Sequence, residues 1–259
     1  MNTAGRLLAT YDRLLNHGLG NDVSMLKVWA HVFDLPAEDQ HLEDAVVMCL
    51  QATRSEIEVL RTHLAALGIP EDLMHPGLSR LRNHTSTVNI NANWRQFYEE
   101  ATKPENILSF KWANWALRNE DEVEMPDDEL AALKGELDSL ETSLEITDMT
   151  PYLRSFVQRQ IHAIRSALRV YRVQGVKPIE EALHQVVGAY TVEKARIDAE
   201  HAGASESAKN VFSRAGAFIE KTAKVVDNLD KIRKAGVGAY TLAASVGPLM
   251  LAWGQNLLK

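Results

Sequence analysis

The sequence predicts an all-α protein, a multi-helix bundle of about eight to ten helices. Apolar residues recur every three or four positions along nearly every segment, which is the spacing of one buried face of a helix. Glycine and proline mark the ends of such segments, as at Gly68 and Pro70 or at Gly175 and Pro178. Hydrophobic residues make up 46% of the 259 residues and charged residues 24%, so the chain has the composition of a globular protein.

The first predicted region, residues 1–125, begins with three amphipathic helices. The second of these helices lies in the segment NDVSMLKVWAHVFDL, where Asn21 or Asp22 is the predicted N-cap. Further along, the segment NHTSTVNINANW is rich in Asn, Ser and Thr, whose side chains compete for backbone hydrogen bonds. We therefore expect a loop or an irregular helix start there.

An aromatic cluster follows in the segment SFKWANWAL, which contains Phe110, Trp112 and Trp115. Trp112 and Trp115 are three residues apart and therefore share one face of a helix. Such a face favours packing in the core, which is our prediction for this cluster. Stacking of the rings on a base or a ligand is the alternative.

The second predicted region, residues 126–203, follows the acidic run NEDEVEMPDDEL and contains a helical hairpin and a third helix. The first helix is acidic, and its apolar seam consists of Leu130, Leu133, Leu137, Leu140 and Leu144. The second helix is basic and carries Arg154, Arg159, Arg165, Arg169 and Arg172. Opposite charges on two amphipathic helices that follow each other closely predict an antiparallel hairpin. The alternative is that these arginines bind phosphate groups.

Two E-x-x-H pairs raise the question of a metal site, because di-iron helical bundles use this spacing twice. The pairs are Glu38 with His41 and Glu181 with His184. The first pair lies at a predicted helix start, where acidic residues are common, and no further ligands are spaced to complete a set. We predict no metal site and no cofactor.

Nothing in the sequence predicts catalysis, so an enzyme is the less favoured class. The chain contains no phosphate-binding glycine loop, no nucleophile elbow and only one cysteine, Cys49, in an apolar run. A net charge of −7 and a pI near 5.7 argue against a nucleic-acid-binding protein. The first residues lack the apolar core of a secretion signal, which predicts a cytoplasmic location.

The third predicted region, residues 204–259, joins a long basic amphipathic helix to an apolar C-terminal helix. The basic surface of the first helix is predicted to consist of Lys221, Lys224, Lys231, Arg233 and Lys234. Between Lys234 and Lys259 the chain has no charged residue, a length sufficient for the ~20 residues of a bilayer span. The residues predicted to contact membrane or another helix are Ala239, Ala243, Gly247, Leu249, Leu251 and Trp253.

These features leave two interpretations of function. In the first, the chain is a membrane-acting effector that associates with the inner membrane through its C-terminal segment and forms homo-oligomers there. In the second, it is a soluble adaptor or inhibitor whose C-terminal helix is packed and whose Trp112 region or basic helix binds a protein partner. The layout of the last third resembles that of pore-forming toxins and of helical effectors in bacterial antiviral defence. This resemblance implies membrane action and assigns no role to any residue.

Overall fold

The computed structural model describes residues 1–233, with side chains described through residue 229. Ten α-helices account for most of this part of the chain, and it contains no β-strand, so the predicted all-α class is confirmed. The described chain divides into two compact units. Unit 1 consists of Met1–Glu122 with Arg169–Gly175, and unit 2 consists of Val123–Leu168 with the described residues from Val176 onward. The three-region division predicted from the sequence stays a prediction, because compactness does not show that a unit folds alone.

Unit 1 is built from six helices and the C-terminal end of a further helix, which belongs mainly to unit 2. The helices are α1 (Thr3–Leu15), α2 (Met25–Val32), α3 (Leu42–Ala66), α4 (His75–His84), α5 (Arg95–Ala101) and α6 (Pro104–Ala116). Helix α6 packs on both α1 and α4, and α3 packs on α1 and α2. Helices α4 and α6 approach closely at Gly77 of α4, where a Cβ atom would lie 2.6 Å from the carbonyl oxygen of Asn106 in α6.

A buried arginine joins the parts of unit 1. The Arg6 guanidinium lies 2.8 Å from Glu56 of α3 and 2.8 Å from Glu122, and its Nε donates to the carbonyl of Val173. The side chains of Arg6 and Glu56 are only 8% and 6% exposed. Because a buried charge is costly unless it is paired and hydrogen-bonded, this network fixes the register of α1 against its neighbours.

The irregular segment predicted in unit 1 is present and has a structural role. It contains a short 3-10 helix, Thr87–Asn89, and then returns towards the start of α2. There the carbonyls of Ala92 and Ile90 accept hydrogen bonds from the N–H groups of Met25 and Leu26, both at 2.8 Å. The predicted side-chain cap at Asn21 or Asp22 is therefore wrong, because backbone carbonyls satisfy the first N–H groups of α2.

Unit 2 is built from four long helices. They are α7 (Asp127–Ile146), α8 (Pro151–Gln174), α9 (Lys177–Ala202) and α10 (Glu206–Arg233). The C-terminal end of α8, from Arg169 onward, belongs to unit 1. All five leucines of the α7 seam are buried, and α10 packs along both α7 and α9. The predicted packing of these leucines on the apolar face of α8 stays a prediction.

The arginines of α8 form ion pairs with carboxylates and donate hydrogen bonds to backbone carbonyls. Arg165 lies 2.7 Å from both Asp138 and Glu141 of α7, as the hairpin prediction requires. Arg154 donates to the Leu144 and Thr147 carbonyls and so satisfies the C-terminal end of α7. The arginines of this helix therefore hold protein groups within the described structure.

Candidate interaction surfaces

The outer face of α6 is an exposed apolar surface on unit 1. Leu108 is 59% exposed, Trp112 37% and Trp115 62%, and their spacing of four and three residues places them on one side of the helix. Phe110 is fully buried. The core-packing prediction therefore holds for Phe110 and is wrong for the two tryptophans.

The reason for this error lies in the opposite face of α6. The side that α6 buries carries mostly small or polar residues, namely Asn106, Ser109 and Ala113, together with Phe110. Close packing against Gly77 of α4 selects small side chains at the crossing, because a Cβ there would also lie 2.9 Å from the Cβ of Ser109. Leu108, Trp112 and Trp115 consequently lie on the solvent side.

Cationic side chains lie next to the exposed tryptophans. The Arg118 guanidinium lies 4.3 Å from the centre of the Trp115 ring, and its Nη1 donates to the Trp115 carbonyl at 2.9 Å. Lys111 is exposed on the same helix. Because Trp combines a large apolar body with one N–H donor, this surface suits a partner or a bilayer interface.

The predicted basic surface of α10 is largely paired where it is described. The Nζ atoms of Lys221 and Lys224 each lie 2.6 Å from a carboxylate, that of Glu136 in α7 and that of Glu220 in α10 itself. Arg214 donates to the hydroxyl groups of Ser143 and Ser139. The side chains of Lys231 and Arg233, and all of Lys234, lie outside the described residues.

The apolar stripe of α10 is buried within unit 2. Phe218, Thr222, Ala223 and Val226 are fully buried, and Leu229 is 7% exposed. Among the described helices, none combines the length and the hydropathy needed to cross a bilayer. The predicted membrane or helix-contact residues of the C-terminal segment lie outside the described residues: Ala239, Ala243, Gly247, Leu249, Leu251 and Trp253.

The residues considered as metal ligands occupy different units. Glu181 and His184 are exposed on α9, and Glu181 lies 3.9 Å from Lys177. In unit 1, His41 is exposed and its Nδ1 lies 3.8 Å from Asp44. Within residues 1–233, no three His, Cys, Asp or Glu side chains are grouped as a metal site requires.

Sequence reasoning missed a buried histidine in unit 1. His84 is 1% exposed, and neither of its ring nitrogens has a hydrogen-bond partner among the described residues. Its ring packs on those of Phe97 and Trp94, with centroid distances of 5.4 and 6.1 Å. Burial, with a smaller contribution from the positive charge of Arg80, lowers the pKa of His84 to about 4. No sequence signal marks this residue, because its surroundings are assembled from α5 and the segment before it.

Comparison of the chain with protein-family models, curated proteins and solved structures finds no match.

Proposed function

We propose that the protein is a non-enzymatic, membrane-acting helical effector that contacts the bilayer through its C-terminal segment. The observation that carries this proposal is the run from Ala235 to Leu258, which contains no charged residue and directly follows α10. Such a run exceeds the ~20 residues that span a bilayer, and lysines flank it at both ends.

The packing of α10 limits which part of the chain is available to contact a membrane. An interfacial amphipathic helix must present its apolar face to lipid. The apolar face of α10 is buried as far as Leu229, and two of its described lysines are paired with carboxylates. The proposal therefore assigns membrane contact to the segment after α10 and gives α10 the role of holding that segment on unit 2.

We further propose how the chain self-associates and at which membrane it acts. Ala239, Ala243 and Gly247 recur every fourth residue, a spacing that lets helices approach closely in lipid. Self-association along this row would produce a pore-forming or membrane-perturbing assembly of the toxin or antiviral-defence type. The cytoplasmic face of the inner membrane is the proposed site of action.

Flotation with anionic liposomes tests the proposal. Full-length protein should float with the vesicles, whereas a chain ending at residue 234 should stay at the bottom of the gradient. The shortened chain should keep a similar melting temperature, because it retains the buried apolar residues of α10, among them Phe218 and Val226. If the shortened chain unfolds and the full-length protein ignores liposomes, the segment is a core helix and the proposal is wrong.

A soluble interaction protein is the second candidate, and the exposed face of α6 favours it. Trp112 and Trp115 lie on a helix whose other side is already packed, so a partner can bind them without unfolding unit 1. In this case the partner is a second copy of the chain or another protein. Sedimentation analysis of the wild type and of Trp112→Ser/Trp115→Ser tests self-association. A wild-type dimer that the double variant abolishes would favour this candidate.

A further inference from the structure

Unit 1 contains a small cavity where the C-terminal end of α3 meets α4. It lies beside the short 3-10 helix Glu71–Leu73 and has a volume of about 150 Å³. The wall is mostly apolar, and the lining residues are Arg61, Leu64, Ala65, Ile69, Glu71, Met74 and Leu78. Apolar cavities of about this volume can accommodate a molecule the size of benzene.

Arg61, a charged residue in the wall, makes no hydrogen bond to the other described residues. The Nε atom of Arg61 is buried and makes no hydrogen bond within the described structure. The Nη1 and Nη2 atoms of Arg61 lie 3.7 Å from Glu58 and 3.6 Å from Glu71, beyond hydrogen-bond distance. Glu58 is already held by Arg82. The guanidinium therefore has donors to offer to a molecule that enters the cavity.

We propose that this cavity binds a small monocarboxylate whose hydrocarbon part has about six carbons. The hydrocarbon part fills the space between Leu64, Met74 and Leu78. The carboxylate accepts hydrogen bonds from the Nη1 and Nη2 groups of Arg61, whose planar fork can hold both carboxylate oxygens. This site is independent of the membrane proposal, because every lining residue belongs to unit 1.

Glu71 is the residue that opposes the ligand. Its carboxylate is the nearest acidic group to Nη2, and its side chain is 71% exposed. A bound carboxylate repels it and takes its place beside Arg61, so the Glu71 side chain turns into solvent. Replacing Glu71 with Gln removes this repulsion and should tighten carboxylate binding.

The methyl group of Met74 provides the readout, because Met74 lines the cavity and is 2% exposed. Full-length protein labelled at the methionine methyl groups is titrated with hexanoate, hexanol and hexylammonium, and the Met74 resonance is identified by its loss in Met74→Leu. We expect hexanoate to shift this resonance with a Kd on the order of 1 mM. Hexylammonium should bind about tenfold more weakly or not at all, because it offers Arg61 no acceptor.

Two pairs of variants decide the outcome. Ala65→Phe places a ring in the cavity from an exposed helix position and should abolish the shift, whereas Ala66→Phe, the neighbouring exposed position outside the cavity, should not. Arg61→Met should remove the preference for hexanoate over hexanol, and Glu71→Gln should strengthen it. If hexanoate leaves Met74 unshifted in the wild type, or if the two phenylalanine variants behave alike, the assignment is wrong.

Discussion

The two units of this protein obtain their cores in different ways. Unit 1 combines one long helix, α3 with 25 residues, with short helices such as α2 with 8 residues and α5 with 7, and it buries a charged pair, Arg6 and Glu56. Unit 2 contains helices of 20 to 28 residues and buries regular apolar rows. The stability of a long periodic helix in a core is the sum of many similar contacts, whereas that of a short helix depends on a few particular contacts. Single substitutions should therefore act through different mechanisms in the two units.

The largest effect is expected in unit 2, where Leu137→Asp tests the apolar seam of α7. Leu137 is 1% exposed, so the substitution buries an unpaired carboxylate. We expect a loss of more than ~4 kcal/mol in the free energy of unfolding, measured by urea denaturation.

Ala132→Asp is the matched control for this substitution, because Ala132 is exposed on the same helix. It should cost no more than ~1 kcal/mol, mostly through helix propensity. Equal costs for the two variants would mean that the α7 seam is not a core surface.

The next largest effect is expected when a cationic residue of unit 1 is replaced, and a cationic residue of unit 2 serves as the comparison. Arg6→Met leaves Glu56 buried without its partner, and we expect a loss of about 3–5 kcal/mol in unfolding free energy. Lys221→Met removes a lysine that is 49% exposed and paired with Glu136, and the expected loss is at most ~1 kcal/mol. Urea denaturation of both variants measures the difference. Similar values would show that the buried network does not set unit 1 apart.

The same contrast explains which parts of the fold the sequence could predict. The leucine row of α7 repeats a helical period, and period alone determines which side of a long helix is buried, so that prediction succeeded. Arg165 pairs with the acidic helix as expected, yet Arg159 pairs with Glu193 of α9. Charge patterns predict that a partner exists, but its identity depends on which helix lies alongside.

In unit 1, the features that escaped prediction depend on contacts distant in sequence. The start of α2 is capped by carbonyls from residues 90 and 92, which no local pattern around Met25 signals. Trp112 and Trp115 are exposed because Gly77 brings α4 close to the other face of α6. The cavity beside Arg61 and the burial of His84 likewise require the assembled unit.

A third effect is expected in unit 1, where the free energy of unfolding should depend on pH. Burial lowers the pKa of His84 to about 4 from its ordinary value of 6.5, so the folded protein disfavours the charged imidazole. The unfolded chain then binds more protons than the folded chain between these values. The contribution of His84 to stability is present above pH 6.5 and is lost as the pH falls towards 4, by about 3 kcal/mol in total.

Urea denaturation at several pH values between about 7 and 4 measures this loss, in the wild type and in His84→Leu. The variant should lose less stability over this range, because its buried side chain cannot bind a proton. His162→Leu, at an exposed position of α8, controls for the substitution itself. If the pH profile of His84→Leu matches that of the wild type, another group causes the acid sensitivity.

The smallest effect makes the same substitution in each unit and should change sign between them. Gly188 lies within α9 and is exposed, and a Cβ atom added there would have no neighbour within 4 Å, so Gly188→Ala should gain about 0.5–1 kcal/mol from helix propensity. Gly77→Ala places a Cβ 2.6 Å from the Asn106 carbonyl, and backbone cannot move away as a flexible side chain can. We expect this variant to lose about 1–3 kcal/mol, because α4 and α6 must separate. Thermal unfolding of both variants gives the signs directly. A stabilising Gly77→Ala would mean that α4 and α6 are less closely packed than the geometry requires, and the explanation for the outward tryptophans of α6 would fail with it.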